Sequence, residues 1–141
     1  SPAAVAVPLS ATDKRGVIQE LVERLDRAGK IRDAQQVLAD VMEREATVAT
    51  GMDKGLAIPH ARTAGVEGMV VALGVSHSGV DFQALDGKPT RIVFLIASSP
   101  DDRGPHLQLL AAIAKRMRDD ERREAVLSAS TSEELLAAVL S

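Results

Sequence analysis

Two histidines that each follow a proline, and one arginine near a helix end, are the residues of this chain best placed for chemistry. The run Gly55-Leu56-Ala57-Ile58-Pro59-His60-Ala61-Arg62 holds a short apolar stretch that stops at a proline and then presents an imidazole. Apolar residues between turn signals predict a buried strand, and proline ends ladder pairing because it has no backbone donor. His60 is therefore expected at a strand's end, on rigid backbone, facing a cleft or solvent. His106 follows Pro105 and is expected as the second residue of a helix. The unpaired N–H groups there disfavour an imidazolium and favour an incoming anion such as phosphate. His77 lies in Ser76-His77-Ser78-Gly79, a polar turn, and reads as a solvated loop residue.

A neutral imidazole can act as nucleophile or proton acceptor near pH 7. Arg44 and Glu45 close a predicted helix, where a solvated charge pair would account for them. A guanidinium beside two histidines has another use, because its fork binds two phosphoryl oxygens together. Arg44, His60 and His106 thus suit phosphoryl transfer, with a histidine nitrogen attacking and nearby donors steadying the oxygens. The chain has no glycine-lysine phosphate loop, no kinase signature and no acidic cluster for magnesium, so a bound nucleotide is not expected as donor. No helical pair of histidines supports a metal site. No Gly-x-Ser-x-Gly elbow supports hydrolysis.

The elements that must hold these residues follow from periodicity. Thr12 or Asp13 caps a helix with Val17, Ile18, Leu21, Val22 and Leu25 on one face, ending at Gly29. Asp33 and Gln36 open a second helix with Val37, Leu38, Val41 and Met42 inward, followed by a loop from Ala46 to Lys54. Strands are expected at Leu56 to Ile58, Met69 to Val75, Val80 to Phe82 and Arg91 to Ala97, the last covered on both faces. Leu85-Asp86-Gly87-Lys88-Pro89 is turn chemistry. Gly104-Pro105 opens a helix with Pro105 at its first position, a short helix ends near Leu127, and Thr131 with Glu134 caps the last. The order α-α-β-β-β-β-α-α-α predicts a single α/β domain, a mixed sheet of about four to five strands flanked by helices.

Composition narrows the function. The 141 residues are 45% hydrophobic and 26% charged, as in one globular domain, and the net charge of −3 argues against a nucleic-acid partner held by phosphate contacts. Two Phe with no Trp or Tyr leave an aliphatic core and no stacking platform for bases. The longest apolar runs fit strands and not membrane spans. The absence of cysteine rules out disulfides and thiolate metal sites, and fits a cytoplasmic protein. Residues 1–11, without a basic signal-peptide start, read as a flexible leader, and 12–141 as the domain.

These residues resemble the enzyme IIA domains of the bacterial phosphoenolpyruvate-dependent phosphotransferase system, in the fructose, mannitol and nitrogen-regulatory branch. Gly55-Leu56-Ala57-Ile58-Pro59-His60 is similar to the family's phosphohistidine signature, and Arg44-Glu45 with Thr50 to its upstream Arg-Glu and hydroxyl residue. Val80-Asp81-Phe82, Leu85-Asp86-Gly87-Lys88-Pro89 and Val93-Phe94-Leu95 resemble its turn and central strand. Gly104-Pro105-His106-Leu107 resembles its second histidine at a helix start.

The resemblance implies a phosphotransferase/anion-transport-protein-like fold and a phosphoryl carrier that needs no cofactor and no metal. His60 would accept phosphoryl on Nε2 from a histidine-containing phosphocarrier protein. It would pass it to a IIB domain for sugar uptake, or hold it as a regulatory signal, as in nitrogen regulation. His106 carries over as the neighbouring histidine and Arg44 as the phosphate-stabilising cation. Such a protein does not insert into a membrane, though it is able to dock on a membrane permease. The alternative is a regulatory binding module that keeps the fold and controls a transporter, kinase or transcription factor with little or no phosphotransfer. Two departures stand out: Ala61 replaces the Gly or Thr of many members, and Ser98-Ser99-Pro100 is more polar than the family's apolar approach to that proline.

Overall fold

The computed structural model describes residues 4–140. Its elements are β1 (Ala4–Ala6), α1 (Lys14–Arg27), α2 (Ala34–Thr47), β2 (Leu56–Ala57), β3 (His60–Arg62), β4 (Met69–Val80), β5 (Thr90–Ser98), α3 (Arg103–Arg116), α4 (Asp120–Ser128) and α5 (Ser132–Leu140). The helix starts follow their capping residues. Asp13 accepts from Gly16 N at 3.0 Å, Asp33 from Gln36 N at 3.1 Å, and Thr131 Oγ1 from Glu134 N at 3.1 Å. Each cap satisfies a backbone donor that the helix itself cannot. Among the described residues no helix is long and apolar enough to cross a membrane.

The sheet runs β1-β4-β5-β2, with β3 also paired to β5. β4 and β5 are antiparallel, while β1 on β4, and β2 and β3 on β5, are parallel. The five-strand mixed sheet with helices on both faces is the expected class. β5 is the seam of the molecule, because its side chains alternate between two cores. Val93, Leu95 and Ala97 pack with Val17, Ile18, Leu21, Val37 and Val41 from α1 and α2. Ile92, Phe94 and Ile96 pack on the other face with Ile113, Met117, Val126 and Leu135 from α3, α4 and α5. Each such large side chain contributes about 1.5–3 kcal/mol when fully buried.

Four expectations are corrected. The stretch expected as a flexible leader, residues 1–11, supplies β1, whose Ala4, Val5 and Ala6 pair with Ala72, Leu73 and Gly74. Leu9 is buried there as well, and residues 1–3 lie outside the described residues. The two strands expected either side of Ser76-His77-Ser78-Gly79 are one strand, β4, with a register shift between Val75 and Val80. His77 is exposed, but on a strand and not in a loop. His60 does not end a strand: it opens β3, because the chain resumes pairing with β5 directly after Pro59. Lastly, α3 starts at Arg103, so His106 is its fourth residue and Pro105 its third.

Candidate functional site

The site forms at the end of β5, where β3 follows β2 in running parallel to it, beside the start of α3. Gly55 sets up the approach. It adopts φ 75, a left-handed conformation that glycine enters at least cost, and its carbonyl accepts both Arg91 N and Ile92 N at 2.9 Å. β2 then pairs with β5 through Leu56 and Ala57. Pro59 offers no donor, yet its carbonyl accepts Ile96 N at 3.0 Å, so the chain stays fastened through the proline. His60, Ala61 and Arg62 pair with Ile96, Ala97 and Ser98. By alternation Ala61 joins the core under α2, whereas His60 and Arg62 share the opposite face, toward α3.

His60 is half-buried, and its Nδ1 lies 2.7 Å from the carbonyl oxygen of Ile58. A carbonyl only accepts, so Nδ1 carries the proton and the neutral ring keeps its lone pair on Nε2. Burial pushes the pKa of His60 below the usual imidazole value. The Ile58 bond acts against this shift, Arg44 adds to it, and Glu45 opposes it. The net effect is a neutral ring with its free nitrogen turned away from the backbone.

His106 is buried in the first turn of α3, and its backbone N–H donates to Asp102 O at 3.0 Å. Its ring faces that of His60, with centroids 5.3 Å apart and planes tilted by 59°. Burial, then His60, Arg62 and Arg44 in turn, push its pKa down as well. Nδ1 of His106 sits 2.5 Å from Ser98 Oγ at the end of β5.

Both rings open into a cleft of about 490 Å³, lined also by Arg44, Arg62, Arg103, Leu107 and Leu110. The structure thus brings together all three residues expected from the sequence, Arg44, His60 and His106, and leaves His77 outside. Arg62 and Arg103 were missed. The two-residue period from His60 to Arg62 was a usable signal for the first. The second became visible only once α3 was seen to start early.

Glu45, the neighbour of Arg44, is no solvated partner. It is 4% exposed, and its carboxylate accepts from Thr50 N at 2.8 Å, Thr50 Oγ1 at 2.5 Å and Lys14 Nζ at 2.9 Å. Lys14 also donates to Gln83 Oε1 at 2.9 Å. This network ties α1 and the loop after β4 to the end of α2, and so fixes the turn that carries Arg44.

A paired, neutral set of histidines in a cleft lined by three arginines, with Asp40 and Glu43 also on its wall, is suited to accept and release a phosphoryl group. Over residues 1–141 the chain matches the family model described as phosphoenolpyruvate-dependent sugar phosphotransferase system, EIIA 2. The chain belongs to that family. EIIA 2 domains are phosphotransfer components that take a phosphoryl group on histidine and hand it on. The chain is 35% identical over 132 residues to the fructose-specific EIIABC component of Bacillus subtilis, covering 94% of itself but only 21% of that protein. It is also 35% identical over 120 residues to the fructose-specific EIIA component of Haloferax volcanii, covering 85% of itself and 78% of that relative. Among solved structures, the nitrogen regulatory protein IIA-Ntr of Neisseria meningitidis superposes with a TM-score of 0.88 at 28% identity. That likeness covers 97% of this chain and 93% of the other.

Proposed function

We propose that this EIIA 2 domain carries phosphoryl on Nε2 of His60, receiving it from a phosphohistidine on a carrier protein and passing it to a IIB domain. The observation that carries the site assignment is the Ile58 carbonyl on Nδ1, which leaves Nε2 as the free nucleophilic nitrogen. In the transfer, the Nε2 lone pair forms a bond to phosphorus as the donor's N–P bond breaks, and that electron pair returns to the donor imidazole. His60 keeps its Nδ1 proton, and the Ile58 carbonyl steadies the positive charge that the ring gains. The guanidiniums of Arg44, Arg62 and Arg103 face the cleft where the equatorial oxygens would lie. His106, held neutral, contributes a ring nitrogen without adding a full charge.

A IIB domain as acceptor accords with the Bacillus relative, whose name joins A, B and C components in one protein. The exposed Leu107 at the cleft's rim offers an apolar contact that helps a docking partner exclude water during transfer. Incubation with phosphoenolpyruvate, enzyme I and the phosphocarrier protein tests the reading. The protein should gain one acid-labile, base-stable phosphoryl group, and His60→Ala should gain none. Label on His60→Ala would remove the assignment.

A further inference from the structure

Resting on that reading, we propose that Ser98 is a positioning residue for transfer: its hydroxyl fixes the tautomer of His106 so that the Nε2–H of that ring points into the cleft. Ser98 ends β5 and is fully buried. It falls on the same face of the strand as Ile92, Phe94 and Ile96, the face that α3 covers. The parallel pairing with Arg62 and the bond from Thr63 N to Ser98 O, at 2.7 Å, fix its place. The only hydrogen-bond partner of its hydroxyl among the described residues is Nδ1 of His106.

Counting donors decides the direction of this bond. If Nδ1 carried the proton and donated, the buried hydroxyl proton of Ser98 would be left with no acceptor, a costly arrangement. If the hydroxyl donates, both groups are satisfied and the ring proton sits on Nε2. The partner on one ring nitrogen sets the state of the other. His60 and His106 then show opposite characters at Nε2: a lone pair on the first, an N–H donor on the second. A lone pair on both would turn His106 from a donor toward phosphoryl oxygens into a repelling acceptor. Ser98 acts on the phosphoryl group only through His106.

The test uses the full chain. Imidazole nitrogen NMR, at a pH where both rings are neutral, should show His106 as the Nε2–H tautomer in the wild type and as a mixture in Ser98→Ala. Phosphoryl uptake from the phosphocarrier protein should slow by about three- to tenfold in Ser98→Ala, the scale of one lost neutral hydrogen bond. Ser98→Thr, which keeps the hydroxyl, should recover the wild-type tautomer. On a His106→Ala background, Ser98→Ala should cost less than about twofold more, because the route of its action is gone. An unchanged His106 tautomer in Ser98→Ala, or an equal loss on the His106→Ala background, overturns the proposal. The tautomer measurement needs no phosphoryl donor. Failure of His60 to take label therefore sinks the carrier reading alone, and an unchanged tautomer sinks the Ser98 assignment alone.

Discussion

The cleft has two walls built on the same dipeptide, Pro59-His60 on a strand and Pro105-His106 on a helix, and the walls hold their imidazoles differently. On the strand side the ring is steadied by a backbone carbonyl, that of Ile58, and the backbone itself is bonded to β5 through the proline. On the helix side the ring is buried and steadied by a side chain, Ser98. A backbone partner survives every substitution that preserves the fold, whereas a side-chain partner can be lost in one step. The strand wall is therefore the robust one, and it carries His60, the proposed nucleophile. The helix wall is the adjustable one, suited to tuning how firmly the phosphoryl group is held.

The sharpest way to break this contrast is to delete each ring. His60→Ala should abolish phosphoryl uptake, since no other cleft residue replaces Nε2. His106→Ala should slow uptake by about tenfold to a hundredfold, the scale of losing one preorganised donor, as measured by rapid-quench labelling. Equal losses in the two variants would erase the distinction between nucleophile and helper. Next in size, Arg44→Gln should slow uptake by about tenfold, with Arg44→Lys intermediate because a point charge lacks the fork. Loss only in the affinity for the partner protein, with an unchanged transfer rate, would move Arg44 from the phosphoryl group to the docking surface.

Stability should also report the support of Arg44, which stands on neither wall. Lys14→Met leaves the buried Glu45 carboxylate with Thr50 alone, and should cost about 1–3 kcal/mol in chemical denaturation. Because that network fixes the turn bearing Arg44, a slower transfer should accompany the loss.

The smallest effect is that of pH. Both rings have pKa values below the ordinary imidazole value, chiefly through burial. As pH falls below about 6.5, the unfolded chain takes up protons before the folded rings do. Stability should therefore decline from that pH downward and level off once the folded rings protonate. A variant lacking both histidines should show a shallower decline, and an identical pH slope would contradict the burial argument.

Much of this arrangement could be read from residue order, and the exceptions have physical reasons. Asp13, Asp33 and Thr131 marked helix starts because short acceptor side chains before apolar periodicity serve one local purpose. β1 escaped because three small residues between prolines show no period, and only pairing with β4 gives them order. Ser76-His77-Ser78-Gly79 looked like a turn because polarity was taken for looping. On β4, His77 and Ser78 are polar because they face water, while Ser76 is buried within the same strand. His60, His106 and Arg44 were legible as a set, since proline before histidine and arginine at a helix end are local features. Ser98 was noticed only as a departure, because its partner lies eight residues on and across the fold of the chain. Glu45 was misread for a similar reason: its burial depends on Lys14, a partner 31 residues away.

The seam strand has a further consequence for how the molecule breathes. Amide protons along the middle of β5 lie between two packed cores, so deuterium should replace them only when the whole chain opens. Those of the three-residue β3 should exchange sooner, by fraying at the border of the sheet. A phosphoryl group bridging both walls would slow the second set without touching the first, turning a simple isotope measurement into a gauge of how tightly the loaded state clamps shut.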